Sequence, residues 1–389
     1  MLTERLVSSD TSSVDGLRSA AGFVKGWLDA RDIAVADHAF DDLYVLTAEV
    51  GPADAPTLIF HGHLDVVPGR AEQFAPHVEG DRLFGRGAYD MKGGLAAMML
   101  AMHDLASQDE VCVRLLCVPD EESEDIERRT SDEMVRRGFT GDFAITGEPT
   151  NLRVGVQAKG VLSCRIAVHG RAAHSSTPWL GDNAVLKAID VFRRIESLPF
   201  SRESSELFDR PSINLGRIVG GDAVNKVPDE CEMAVDIRYL PGQDPEQILD
   251  QVRQIPDIDV TRTFIHPPVS VSRTNPYVLA LRESVKRSVT GEALSVGREG
   301  ASDAAAFLAA GIPAVEFGPA GEGHHGPEEW VSVSSLARYR RALGEFVRTL
   351  PMHLEQARSS ADAVQASGNQ AGEESAAEGR LRALPGGRN

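Results

Sequence analysis

The chain is poor in cysteine, short of positive charge, and without any apolar run long enough to cross a bilayer; each absence removes a class of function. Its four cysteines, Cys112, Cys117, Cys164 and Cys231, form no CxxC pair among 389 residues. Neither a disulfide framework nor a thiolate-lined metal knuckle is therefore expected, and the thiols read as small core residues in a reducing compartment. Lys and Arg number 40 against 58 Asp and Glu, a formal charge of −18. That balance argues against nucleic acid or an anionic membrane as a partner. The N-terminus, Met1-Leu-Thr-Glu-Arg-Leu, lacks the basic and apolar regions of a secretory leader. No stretch offers the roughly 20 apolar residues of a spanning helix, so the cytoplasm is the expected location.

What is present suits two domains, since 389 residues exceed one ordinary core. Ser13–Arg31 reads as an amphipathic helix, Leu43–Thr47 and Thr57–Phe60 as strands, and Met91–Ala106 as a long apolar helix. Val111–Val118 and Phe143–Thr146 are further buried strands. This alternation predicts an α/β sheet with helices on its faces. From about Gly160 the pattern changes to strand–helix–strand–strand–helix–strand: Val161–His169, Asn183–Phe192, Ile213–Val219, Cys231–Arg238, then a helix over Pro245–Ile255. That order predicts a small α+β sandwich of ferredoxin-like type. The α/β rhythm resumes near Asn275, with the helix Tyr277–Val289 and the strand Pro313–Phe317. The expected organisation is a larger domain from 1–159 and 273–351, interrupted by a smaller one at 160–272. Residues 352–389, rich in Ala, Ser, Gly, Glu and Gln, read as a disordered tail.

Five polar segments, most at the end of an apolar run, carry the chemistry. The first is His61–Pro68, where His63 and Asp65 lean to one face at strand period. The second is Gly85–Gly94, with Asp90 at a helix start; by itself Asp90 reads as an N-cap. The third is Pro119-Asp-Glu121-Glu122, the fourth Thr146-Gly-Glu148-Pro-Thr150, and the fifth Glu322-Gly-His324-His325-Gly-Pro-Glu-Glu329. Taken singly, each is more often surface polarity or a cap than a ligand. Together they make a histidine and carboxylate set suited to Zn²⁺, Co²⁺ or Mn²⁺. The surplus of carboxylates points to two ions, about 3.5–4 Å apart in the usual two-metal geometry, with one aspartate shared.

The His61–Pro68 octet, Gly87-Ala-Tyr-Asp-Met-Lys-Gly-Gly94, Asp120-Glu-Glu122, Gly147-Glu-Pro149 and His325-Gly-Pro-Glu-Glu329 stand in this order. They resemble the M20 family of dinuclear metallohydrolases, over roughly residues 5 to 350. The resemblance implies a mixed-sheet zinc-hydrolase catalytic domain with helices on both faces, and a smaller α+β domain that serves as lid and dimerisation unit. It implies that Asp90 bridges two metals, one also held by His63 and Glu148, the other by Glu122 and His325. Asp65 would orient His63, and Glu121 would be the general base. His325 is preferred to His324 because it occupies the His-x-Pro-x-Glu frame. His174 would supply an oxyanion donor, across the interface of a homodimer. Asn225, in the loop Gly220–Pro228, resembles a substrate-binding residue, Arg238 a carboxylate-binding arginine, and Ser302, in Gly300-Ala-Ser-Asp303, part of a further pocket loop. One departure is Ser123-Glu124-Asp125, where many relatives continue with a glycine; if it faces the pocket, it would disfavour an anionic acyl group.

The activity implied is a metal-dependent amidohydrolase, of desuccinylase or deacetylase type, that cleaves an N-acyl amino acid with a metal-activated water. An M20 carboxypeptidase or dipeptidase is the alternative. A non-catalytic metabolite-binding protein on the same scaffold is more remote, since it predicts a missing base or ligand.

Overall fold

The computed structural model describes residues 1–122, 129–289 and 293–381, with side chains described as far as Ser359. A nine-stranded sheet runs Val35–Phe40, Leu43–Val50, Cys112–Val118, Thr57–His63, Phe143–Thr146, Ala314–Glu316, Val154–Ala158, Val269–Ser270, with Ser295–Arg298 also paired to Val154–Ala158. Its centre is parallel: Thr57–His63 lies between Cys112–Val118 and Phe143–Thr146, and Ala314–Glu316 follows in the same direction. The flanking strands are antiparallel, apart from Ser295–Arg298, so the sheet is mixed. The central strands are apolar without alternation because both faces are covered. Leu58 and Phe60 enter one core and Ile59 the other; Phe143 and Ile145 are likewise separated from Ala144. On the first face the helix Lys92–Leu105 is buried between the sheet and the last helix. Phe143 stacks on Tyr277 with centroids 5.2 Å apart and meets Phe346 edge-on at 6.1 Å. Each such side chain contributes about 1.5–3 kcal/mol by leaving water.

The region between Gly160 and His266 builds a second, four-stranded antiparallel sheet in the order Ser212–Gly220, Glu230–Tyr239, Gly160–His169, Ile258–His266. Here the alternation is clean: Cys231, Met233, Val235 and Ile237 are buried while Glu232 and Ala234 are exposed. The buried rows pack on the helices Ala184–Ile195 and Pro245–Arg253 in a core of their own. The first helix is capped by Asn183, whose side chain accepts from the Val185 amide at 3.0 Å. The chain rejoins the large sheet at Val269–Ser270, earlier than the expected 273.

A third sheet, Gly321–Glu322, Trp330–Ser332, Arg82–Phe84 and His77–Glu79, holds the arm 321–332 against the segment leading to Asp90. Two short elements do not announce themselves by periodicity: the helix Leu2–Val7 is too brief, although Leu6 and Val7 are buried, and the strand Val35–Phe40 has no buried residue. The last helix spans Val333–Leu381 and so continues through the stretch expected to be disordered. The physical reason is that Ala, Glu, Gln and Arg, frequent in this stretch, are strong helix formers. Residues 382–389, and the acidic Ser123-Glu124-Asp125, lie outside the described residues. All four cysteines are buried and free, and among the described residues no helix is long and apolar enough to cross a membrane.

Candidate metal centre

The predicted ligands meet where the parallel strands end, as expected for the carboxyl edge of an α/β sheet. His63 is the last residue of its strand and is fully buried. Its Nδ1 lies 3.0 Å from the Asp65 carbonyl and 3.4 Å from Asp65 Oδ1. Donation from Nδ1 leaves the Nε2 lone pair turned toward Asp90 Oδ1 at 3.2 Å and Glu148 Oε1 at 3.6 Å. On its other side Asp90 Oδ2 meets the Nε2 atoms of His324 and, at 3.2 Å, of His325. His325 Nε2 also lies 2.8 Å from Glu122 Oε1. Asp90 is thus the carboxylate common to both halves. It does not cap the helix: Met91 is the N-cap, and the Asp90 oxygens are engaged by imidazoles instead. Three groups of side chains bring their ligand atoms within 4.8 Å of one another: His63, Asp90 and Glu148; His63, Glu121 and Glu122; Asp90, His324 and His325.

Charge and burial compete throughout. Burial works to raise the Asp90 carboxyl, but hydrogen bonds from His324, His325 and His63 outweigh it and hold the group well below the usual range. Burial and the neighbouring Asp90 charge push Glu148 well up. Hydrogen bonding to Asp90 and Glu122 lifts His325 to about 10. His63 is raised well above its ordinary value by Asp65 and Asp90, although burial opposes this. An imidazole lone pair aimed at two carboxylates requires a positive charge between them, either a proton or a cation. Glu148 Oε1 is moreover buried with no hydrogen-bond partner among the described residues. Nitrogen and oxygen donors with an orphaned buried carboxylate oxygen fit divalent cations.

Glu121 stands apart from the His325 pair. Its Oε1 accepts from Arg129 Nη1 at 2.9 Å, and the same nitrogen donates to Asp303. Asp303 also accepts from Ser131 Oγ at 2.7 Å and lies 3.3 Å from His61 Nε2. Burial raises the Glu121 carboxyl to about 8, against the lowering effect of Arg129. The sequence marks Asp303 only as the end of the Gly300-Ala-Ser-Asp303 loop and gives Arg129 no signal of this role. Arg129 follows a charged run that reads as solvated surface, and nothing along the chain pairs it with a residue 174 positions away. Glu329, inside the His-x-Pro-x-Glu frame, also gains a contact set that spacing alone does not reveal.

The remaining expected site residues lie elsewhere. His174 is exposed, its Nδ1 2.8 Å from Ser176 Oγ, and its backbone bridges to Lys226 beside Asn225. The Asn225 carbonyl accepts from the Ser175 amide at 3.0 Å, so these two segments do come together. Arg238 holds Asp236 with two bonds, of 2.8 and 3.1 Å. Ser302 is buried, and its Oγ accepts from the Ala304 amide at 3.2 Å.

The sheet, the cluster at its carboxyl edge and the base candidate beside it suit a metal-dependent hydrolase, and its relatives make it one that acts on amide bonds. The chain belongs to peptidase family M20/M25/M40, whose model matches residues 59–349. It is 31% identical over 318 residues to a succinyl-diaminopimelate desuccinylase of Gluconobacter oxydans, covering 74% of this chain and 83% of that protein. An aminopeptidase from Bacillus cereus shares the fold with a TM-score of 0.76 at 19% identity, over 90% of this chain and 97% of that one. A dinuclear metal-binding peptidase from the M20 family of Bacillus subtilis superposes with a TM-score of 0.64 at 18% identity, over 89% and 95% of the two chains.

Proposed function

We propose that this protein hydrolyses the amide of an N-acyl amino acid, with a succinyl or acetyl group as the acyl part, in the cytoplasm. The observation that carries the reading is Asp90, whose two oxygens face His63 on one side and His324 and His325 on the other. A carboxylate so placed suits two divalent ions, zinc first, with cobalt or manganese as substitutes. His63 and Glu148 would hold one, Glu122 and His325 the other, and Asp65 would keep His63 in its tautomer. When bound, the ions supply Lewis acidity and ease the loss of a proton from water. Glu121 accepts that proton and returns it to the leaving amine. Arg238 exchanges Asp236 for the substrate carboxylate, a planar two-bond match. Asn225 and Ser302 line the substrate.

His174 donates to the developing oxyanion. Because it lies on the smaller unit and points to Ser176, it serves after closure of that unit or from a second copy in a homodimer. The roles proposed for the two units are therefore catalysis for the larger and lid and pairing for the smaller. The identity to a desuccinylase over most of the chain supports the deacylase reading. The structural likeness to peptidases keeps carboxypeptidase or dipeptidase action as the second reading.

A panel of N-succinyl, N-acetyl and dipeptide substrates, run on protein reconstituted with Zn²⁺ or Co²⁺, separates them. Turnover of the N-acyl compounds is expected; hydrolysis of dipeptides alone rejects deacylation. Sedimentation of the same active sample tests the pairing, and a fully active monomer removes any role for His174 across subunits.

A further inference from the structure

The loop that delivers Asp90 and the arm that delivers His325 are welded by one buried ion pair. Glu329 is 2% exposed. Its Oε2 accepts from Arg86 Nη1 at 2.8 Å and the Gly87 amide at 2.9 Å; its Oε1 accepts from the amides of Tyr89 at 2.9 Å and Asp90 at 3.0 Å. The second arm of the same guanidinium, Arg86 Nη2, donates to the His325 carbonyl at 3.1 Å. One carboxylate therefore fixes the backbone that carries Asp90, and one guanidinium ties that backbone to the residue carrying the facing imidazole. The backbone at both ends needs holding. His325 sits at φ 58°, in the left-handed region that non-glycine residues rarely adopt. Gly87 sits at φ +80°, where a Cβ would come within 2.7 Å of Val66 Cγ1.

The two halves of the cluster differ in how they are supported. His63 and Glu148 follow directly from adjacent strands of the large sheet. His325 belongs to an irregular arm between the two-residue strand at Gly321–Glu322 and the strand at Trp330–Ser332, so its distance from Asp90 depends on cross-links between loops. We infer that Arg86 and Glu329 form a positioning clamp that sets the affinity of the His325–Glu122 position relative to the His63–Glu148 position. The inference rests on the two-ion reading above. Glu329 maintains Asp90 for both positions, whereas the Arg86 fork to the His325 carbonyl serves only one. Arg86 thus controls whether the second ion is held, without touching either.

The test is metal uptake rather than activity. Wild type, Arg86→Met and Glu329→Gln are stripped and titrated with Zn²⁺ by calorimetry, with the stoichiometry checked by elemental analysis. Wild type is expected to take up two ions. Arg86→Met removes both arms of the guanidinium, but Glu329 keeps its three amide donors from Gly87, Tyr89 and Asp90. The first ion is therefore expected to be retained, with about 10- to 100-fold lost in affinity for the second, the usual effect of removing a group behind a ligand. Glu329→Gln is expected to weaken both. Arg86→Lys keeps the charge but not the fork, so it guards against a Met variant that fails to fold, and it too is expected to lose the second ion selectively. Thermal melting of the metal-free proteins identifies the folded variants. A folded Arg86→Lys or Arg86→Met protein binding two ions with wild-type affinities overturns the clamp and leaves the two-ion reading intact. A wild type that takes up a single ion overturns both.

Discussion

Glu121→Gln is expected to lower kcat by roughly 10²–10⁴-fold, the usual contribution of a positioned general base, while the metal content stays at the wild-type level. The amide is nearly the shape of the carboxylate and still presents an oxygen to Arg129, whose Nη1 lies 2.9 Å from Glu121 Oε1. The network through Asp303, Ser131 and His61 therefore survives. What is lost is the capacity to accept a proton. Glu122, the neighbouring ligand candidate, keeps its contact with His325 at 2.8 Å, so the change falls on the chemical step rather than on metal binding. Steady-state kinetics with the best substrate of the panel, beside elemental analysis of the same sample, checks both halves. A variant that turns over within a fewfold of wild type removes Glu121 from the mechanism, and one that has lost metal shows it to be a ligand.

Asp90→Ala is expected to act on both ion positions at once. Metal content falls from two ions to one or none, and kcat/KM falls by roughly 10³-fold or more, since several kcal/mol of transition-state stabilisation go with the ions. The reason is geometric: among the described residues Asp90 is the carboxylate that touches both His63, at 3.2 Å, and the His324–His325 pair. His325→Ala serves as the comparison, because it removes a contact from one half only and is expected to leave one ion bound. Asp90→Asn separates charge from shape; it retains the volume and the bonds of the loop to Glu329 but not the negative charge. Uptake of two ions by the Ala variant would show that the halves are independent and that the shared carboxylate is not a bridge.

The parts of the fold that the sequence discloses are those with strong periodicity. Phe143–Thr146 has the bounds of the observed strand, Val111–Val118 begins one residue before the observed Cys112–Val118, and Met91–Ala106 exceeds the observed Lys92–Leu105 by one residue at each end. An unbroken apolar run between turn residues has few alternatives once both faces of a sheet must be covered. Short or amphipathic pieces such as Leu2–Val7 and Val35–Phe40 lack that constraint. The final helix shows the converse limit. Composition reports whether a segment can build a core, not whether its backbone can close i to i−4 bonds, so Val333–Leu381 extends past the expected break.

The candidate site divides in the same way. Residue types and their placement point to a histidine and carboxylate set that suits cations, and the resemblance to the M20 family singles out His63, Asp90, Glu122, Glu148 and His325 within it. Which oxygen of Asp90 faces which imidazole, the tie of Arg129 to both Glu121 and Asp303, and the hold of Glu329 on the Asp90 loop are decided only by the fold. Such contacts join residues up to 243 positions apart. They depend on how the large sheet and the small sheet at 77–84 and 321–332 place their loops, and a one-dimensional spacing carries no record of that. The amino-acid order by itself determined the kind of protein, a metal-dependent hydrolase of the M20 family with candidate ligand segments, since motif order, donor chemistry and strand periodicity are local properties. The tertiary structure alone decided how the two halves of the centre are joined and supported, since hydrogen-bond geometry between distant loops exists only once the chain has packed.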